Sequence, residues 1–454
     1  MTARTAIVVG GGFAGVAAAV ALRARGIAVT LLEERPVLGG RARSDGLGED
    51  IIDVGAQLVS SGFTRTVRLL AGGDPEAAGR HGLRATPGRD VFVGADAARH
   101  AIEFGSVRSM LGFRGLGALE KLKLGRHLLP LLAAQRGKLD AWPVDVPASL
   151  DRESARGYLA EHVGERAADA LVEPVFNAFY AARGREMSLA FYLTLGKYGS
   201  DGRTLTTVRG WSDALARALA RAGVHAERDA RVSVVERDAG GVLVRTETGA
   251  EWRADGVVIA TGARVCASLL RPLRAHADSM FAWLEAIELR TTWTVAVAMD
   301  APAPREAFGI LQHPASARAV SACAVHGAKF GADAPADRDV ILAWPTPDAA
   351  IRLGGRPTAE IVAAMMPEVE HLVPAVRGRV TRVRLYRFDE GTPLARPGYL
   401  ADRTRGRALA TALTAAAAEP VALAGDYLAT PTVEGAVASG EWAAGLLAAK
   451  LARS

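Results

Sequence analysis

Cysteine is nearly absent: the 454 residues hold two thiols, Cys266 and Cys323, with no CxxC pair. That excludes a disulfide framework and a cysteine metal site, and it fits a reducing cytoplasm. Long apolar runs are missing as well. The stretch near 408–418 is mostly alanine and is broken at Glu419-Pro420, short of a spanning helix. The first predicted strand begins by about residue 5, which leaves no room for a leader peptide. Lysine is scarce beside arginine, and 55 bases against 49 acids leave a formal charge of +6. No basic stripe carries interleaved aromatics, so nucleic acid is excluded as a partner. The positive balance still suits an acidic substrate or an anionic membrane surface. No Ser-His-Asp or metal-ligand constellation stands out; the histidines are scattered, His313 and His326 among them, and no metal is expected. What remains is a soluble or peripherally bound cytoplasmic chain, half hydrophobic and long enough for two domains.

Against those absences, glycine is concentrated where it does chemistry. Residues 6–15 read AIVVGGGFAG, and a second apolar run, VTLLE, ends in Glu33. Ile7, Val8 and Val9 form a short strand. Gly10 permits the tight turn, Gly11 and Gly12 let backbone approach a pyrophosphate, and Phe13, Ala14 and Gly15 open a helix that packs closely on the strand. Phosphate charge then sits at a helix N-terminus, favoured by free N–H groups and the dipole. Glu33 arrives where a carboxylate accepts from ribose hydroxyls, with Glu34 and Arg35 behind it. A Gly39-Gly40-Arg41 turn follows directly. A nicotinamide enzyme has no use for it, whereas FAD is longer and its phosphates suit a second glycine turn and a guanidinium.

This combination resembles the superfamily of FAD-dependent amine oxidases, protoporphyrinogen oxidases and phytoene-type desaturases. The resemblance implies an α/β fold: a Rossmann-like FAD-binding domain with an inserted mixed-sheet and helical substrate domain. The cofactor domain is expected to be discontinuous, from residues 1–80, 205–275 and 396–454, with 81–204 and 276–395 forming the substrate domain. It also implies that the Gly55-Ala56-Gln57 turn passes close to the flavin ring, that Val232 meets the adenine through its backbone, and that the turn at Gly262 lies near the phosphates. The closing segment, VALAGDYLATPTVEGAVASG, matches the family's final motif. There Asp426 is expected on a ribityl hydroxyl, and Val433, Glu434, Gly435 and Ala436 open a helix against the pyrimidine edge. FAD is the expected cofactor.

Away from the cofactor the signals thin. Residues 111–139 alternate leucines with Lys121, Lys123, Arg126 and His127, which reads as an amphipathic helix pair, either core with a basic face or a surface lying on a membrane or guarding an entrance. Residues 149–188 read as helices interrupted at Glu173-Pro174, and the resembled families place an aromatic–Tyr pair after such a step, so Phe179 and Tyr180 are pocket candidates. Tyr399, in a Pro-Gly-Tyr passage after Tyr386-Arg387-Phe388, is a third. Many amine oxidases carry a lysine on a central substrate-domain strand; the matching run Trp293–Met299 has none, and Lys197 and Lys329 lie elsewhere. No catalytic base is identified. The expected activity is a protoporphyrinogen oxidase-like oxidoreductase that takes a hydride from a bulky, apolar or conjugated small molecule, with O2 or a quinone as acceptor. A polyene desaturase or amine oxidase, a redox-neutral flavin isomerase, and a flavin-binding interaction protein are the alternatives. Oligomeric state stays open.

Overall fold

The computed structural model describes residues 4–86, 89–103, 106–142, 145–238, 241–416 and 420–453; the break expected at Glu419 lies outside them. Five short strands form a parallel sheet in the order His225–Glu227, Ala28–Leu32, Thr5–Val9, Gly256–Ile259 and Val421–Leu423. Val8 pairs with Leu31 on one side and Val258 on the other. The four strands from Ala28–Leu32 to Val421–Leu423 are apolar almost throughout because both their faces are covered, whereas the edge strand His225–Glu227 is polar and partly exposed. On one face lie the helices Phe13–Arg23, Gly210–Ala222 and Val433–Leu451; on the other lie Ala263–Leu269, Arg274–Ala286 and Tyr399–Ala416. Alanine and glycine make the first face thin. A Cβ on Gly440 would stand 2.1 Å from the carbonyl oxygen of Ala14, so the closing helix touches the backbone of the helix that carries the glycine loop. A three-stranded antiparallel sheet, Val232–Asp238, Gly241–Thr246 and Glu251–Ala254, is appended to this layer.

The other large sheet has seven strands, in the order Val380–Pro393, Leu289–Met299, Asp339–Pro345, Val320–Val325, Ala307–Gln312, Arg89–Val93 and Arg99–Ile102. It is mixed: Ala307–Gln312 runs parallel to Arg89–Val93, and the other pairs are antiparallel. A helical layer sits beside it. Glu165–Leu171 stops just before Glu173–Tyr180, where Pro174 occupies a first-turn position that needs no N–H donor. Leu189–Asp201 and Ala118–Gln135 complete that layer. The helix Arg274–Ala286 buries Met280, Phe281, Trp283 and Leu284 in the core around the parallel sheet, although 276 was expected to open the substrate unit. The mixed sheet is re-entered only at Leu289. The fold is thus mixed α/β, with a parallel dinucleotide-type layer and a second sheet-plus-helix unit. No helix among the described residues is long and apolar enough to cross a membrane.

Candidate active site

The first strand ends at Val9, and the chain turns at Gly10 with φ +105°; a Cβ there would meet the Ala260 carbonyl oxygen at 2.7 Å. Gly15 is tighter still, since its Cβ would lie 1.8 Å from the Gly10 oxygen. Gly12 differs: a Cβ on it would meet nothing within 4 Å. It is the N-cap of Phe13–Arg23 and supplies no side-chain acceptor, so no capping side chain occupies the first N–H groups of that helix. Glu33 closes the loop from the next strand. Its Oε2 accepts from the Gly11 N–H at 2.6 Å and its Oε1 from the Arg35 N–H at 3.0 Å. Burial raises the Glu33 pKa, and those two N–H groups work against that rise by favouring the carboxylate. Glu34 pairs with Arg231 at 3.1 Å, next to Val232 at the start of its strand.

The second glycine turn lies over the first. Gly39 has φ +116° and donates its N–H to the Gly11 oxygen at 2.9 Å, and a Cβ on Gly40 would sit 3.5 Å from the Gly12 Cα. Arg41 leaves this turn and reaches two distant segments. Its Nη2 donates to Asp426 Oδ1 at 2.6 Å and its Nη1 to the Gly391 oxygen at 3.0 Å. Asp426 is buried at the end of Val421–Leu423. Gly262 closes the same wall, for a Cβ on it would meet Glu390 Oε2 at 2.5 Å. Two facing glycine turns, the buried carboxylates of Glu33 and Asp426 and the Arg41 guanidinium line one candidate cleft.

At its far end lies the Gly55-Ala56-Gln57 turn. A Cβ on Gly55 would come within 1.7 Å of the Arg41 oxygen, so this turn presses on the arginine's own backbone. The mixed sheet supports it from behind. Thr294 Oγ1 donates to the Val54 oxygen at 2.7 Å, and the Phe388 ring lies 3.4 Å from the position of a Gly55 Cβ. Lys329, which is 0% exposed, donates from Nζ to Gln57 Oε1 at 2.8 Å and to Asp53 Oδ2 at 3.2 Å. Gln57 turns its own Nε2 back onto the oxygens of Gly55, at 3.0 Å, and Asp53. Its amide is therefore occupied by the turn itself. Asp53 Oδ1 accepts from Ser44 Oγ and the Trp211 N–H. Burial lowers the Lys329 pKa while Asp53 holds it up. Sequence reasoning passed over Lys329 because it does not sit on Leu289–Met299, where no lysine occurs; the detectable signal was a single lysine in the otherwise small and apolar segment AVHGAKFG.

Other expected residues separate by placement. Val433 and Ala436 are partly exposed at the start of the closing helix, and Thr432 caps it by accepting from the Gly435 N–H at 3.0 Å. The Glu434 carboxylate points elsewhere. It accepts from the N–H groups of Arg65 and Thr66, both at 2.9 Å, and from Thr66 Oγ1, so it caps the helix Thr64–Leu70 and leaves only backbone for a cofactor. Tyr180 and Tyr399 are brought together: both rings pack on Phe191, at 5.2 and 6.0 Å between centroids. Burial drives both phenols well above their ordinary range, and Asp426 adds to the effect at Tyr180. The Tyr399 hydroxyl is buried with no hydrogen-bond partner among the described residues. Phe179, between buried Ala178 and Tyr180, is 55% exposed and joins no core. Lys197 lies over the Tyr198 ring, away from the cleft residues.

Known proteins share this fold. A putrescine oxidase from Kocuria rosea is 31% identical over 165 residues, 36% of this chain and 33% of that protein, so the match spans a third of the relative's length. A putative protoporphyrinogen oxidase from Exiguobacterium sp. 255-15 superposes with a TM-score of 0.71 at 19% identity, covering 100% of both chains. A CLA-producing fatty acid isomerase from P. acnes superposes with a TM-score of 0.72 at 16% identity, covering 97% of each. The model of the flavin-containing amine oxidoreductases matches residues 13–448. The parallel layer and the mixed sheet behind it are thus a fold shared with these proteins, and the chain belongs to the flavin-containing amine oxidoreductase family.

Proposed function

We propose that the chain is an FAD-dependent oxidase acting on a bulky, apolar or conjugated small molecule, with O2 as the electron acceptor. The observation that carries this reading is the run of contacts along the candidate cleft, from Glu33 on the Gly11 N–H, through the facing glycine turns, to the Arg41–Asp426 pair and the Gly55 turn. Glu33 and the Gly12 loop suit an adenosine ribose and pyrophosphate, a half that FMN lacks, and Arg41 with Asp426 suits the remaining phosphate and the ribityl chain. Bound there, the flavin supplies hydride acceptance at its ring nitrogen. The protein does the positioning. Lys329 and Thr294 hold the Gly55-Ala56-Gln57 turn from the mixed sheet, and the N–H groups at the start of Val433–Leu451 favour negative charge beside it. Tyr180 and Tyr399, packed together on Phe191 with Asp426 near Tyr180, make the surroundings of that carboxylate aromatic and largely apolar, which supports a greasy or conjugated substrate over a small charged amine. The absence of a lysine on Leu289–Met299 points the same way.

A redox-neutral isomerase is the second reading, favoured by the shared fold of the fatty acid isomerase. A polyene desaturase, an amine oxidase or a quinone-coupled enzyme would use the same cleft. The deciding experiment is the visible spectrum of the purified protein, followed by anaerobic reduction and readmission of air. Rapid recovery of the oxidised flavin is expected. Slow recovery would move the assignment to a quinone acceptor or to the isomerase, and failure to bind FAD on reconstitution would overturn it.

A further inference from the structure

The helix Ala118–Gln135 is apolar on both sides. Its inner side is covered: Leu124 is buried, and Leu128, Leu131 and Leu132 pack against cores that include Phe113, Leu159, Leu189 and Leu193. A surface helix ordinarily turns charge outward. This one turns out Leu119, Leu122 and Leu129, which are 65%, 70% and 45% exposed, with exposed Pro130, Ala133 and Ala134 on the same helical face. Leu111, 67% exposed, stands beside its first turns, where its carbonyl accepts from Lys121 Nζ. Contiguous exposed apolar surface of this kind marks an interface.

The charges on the face itself are of one sign. Lys123 and Arg126 are exposed between the leucines, and Arg108 and Arg114 are exposed on the segment that precedes them. The helix has one acid, Glu120, which lies off this face and is held by Arg166 Nη2 at 2.5 Å and by the Gly117 N–H at 2.7 Å. We propose that this face docks on an anionic lipid surface, with the leucines in the acyl boundary and Lys123 and Arg126 at the phosphates. An interfacial helix needs this pairing of large apolar side chains with flanking bases and lies in the membrane plane rather than across it. A second copy of the chain fits less well. Two-fold packing of the face on itself would set Lys123 and Arg126 against the same bases, with no acid on the face to answer them. This inference goes beyond the catalytic reading and does not depend on which substrate the flavin oxidises.

The test is flotation of the full-length protein, as purified, with vesicles of phosphatidylcholine containing phosphatidylglycerol and with vesicles of phosphatidylcholine alone. The protein is expected to float with the anionic vesicles, less so as salt is raised. Leu119→Gln/Leu122→Gln should remove co-flotation while leaving the visible spectrum and Tm unchanged, because both side chains are exposed. Lys123→Gln/Arg126→Gln should lower partitioning roughly thirtyfold, as expected for two bases at an anionic surface. The proposal is overturned if the unaltered protein ignores anionic vesicles, or if the leucine variant floats as well as the parent. Equal binding to neutral vesicles would also sink it. So would a concentration-dependent dimer in sedimentation velocity that the leucine variant abolishes, which would assign the face to a second copy.

Discussion

Glu33 shows what a single residue carries. Its carboxylate already ties the Gly11 loop to the end of the second strand, so replacing it would remove the proposed ribose acceptor and also free a backbone N–H. Glu33→Ala is expected to weaken FAD retention about 10- to 100-fold, read by fluorescence titration of the apoprotein. Full flavin occupancy in the variant would remove the assignment. Lys329 is the opposite case, a charge with no access to solvent. Lys329→Met would leave Asp53 Oδ2 buried without its cation and should cost about 3–5 kcal/mol in urea unfolding. Lys329→Met/Asp53→Asn should recover part of that loss; additive losses would mean the pair is not coupled. His326, buried three residues before Lys329, sets a pH dependence. Burial, reinforced by Lys329, pushes its pKa down to about 3 from 6.5. The folded form therefore resists a proton that the unfolded chain accepts. Its stabilisation is complete above pH 6.5 and is lost as pH falls toward about 3, with a slope of up to about 1.4 kcal/mol per pH unit. Unfolding curves of His326→Gln should be flatter than the parent's across that window.

Among the elements, the contact between Phe13–Arg23 and Val433–Leu451 decides how firmly the glycine loop is held. Gly440→Ala would drive a methyl against the Ala14 carbonyl, and backbone must shift to admit it. A destabilisation of about 1–3 kcal/mol is expected, accompanied by weaker flavin retention because the loop moves with its helix. A variant with unchanged Tm and occupancy would show that the two helices slide freely. The elements themselves were largely legible. The strand Thr5–Val9, the helix after it and the step at Glu173-Pro174 each follow from local chemistry. Residues 111–139 were legible as helical, but the expected pair is one helix, Ala118–Gln135, and its two apolar faces were not legible, because periodicity reports that leucines recur and not which of them find a neighbour.

For the whole molecule, the cleft is assembled from residues near 10, 33, 41, 55, 262 and 426 of one chain, so a ligand that bridges them should stabilise the fold as a unit. Adding FAD to flavin-stripped protein at about 100 times its Kd should contribute roughly 2.7 kcal/mol and raise Tm by several degrees. FMN, which offers Glu33 and the Gly12 loop nothing to bind, should raise it far less. Equal shifts would argue for a mononucleotide site.

The chain's own residues determined the dinucleotide loop, the acidic residue after the second strand, the second glycine turn and the closing Asp426 segment. Each depends on chemistry within a few tens of residues: a turn that only glycine can make, a helix N-terminus, an apolar strand of minimal length. Tertiary structure decided the rest. It matched Arg41 with Asp426, turned the Glu434 carboxylate away to cap Thr64–Leu70, and placed Lys329 against Gln57. It also left the leucines of Ala118–Gln135 uncovered. These pairings join segments hundreds of residues apart, and no local spacing encodes them. A buried lysine and an exposed leucine are defined only by which neighbours packing brings to them.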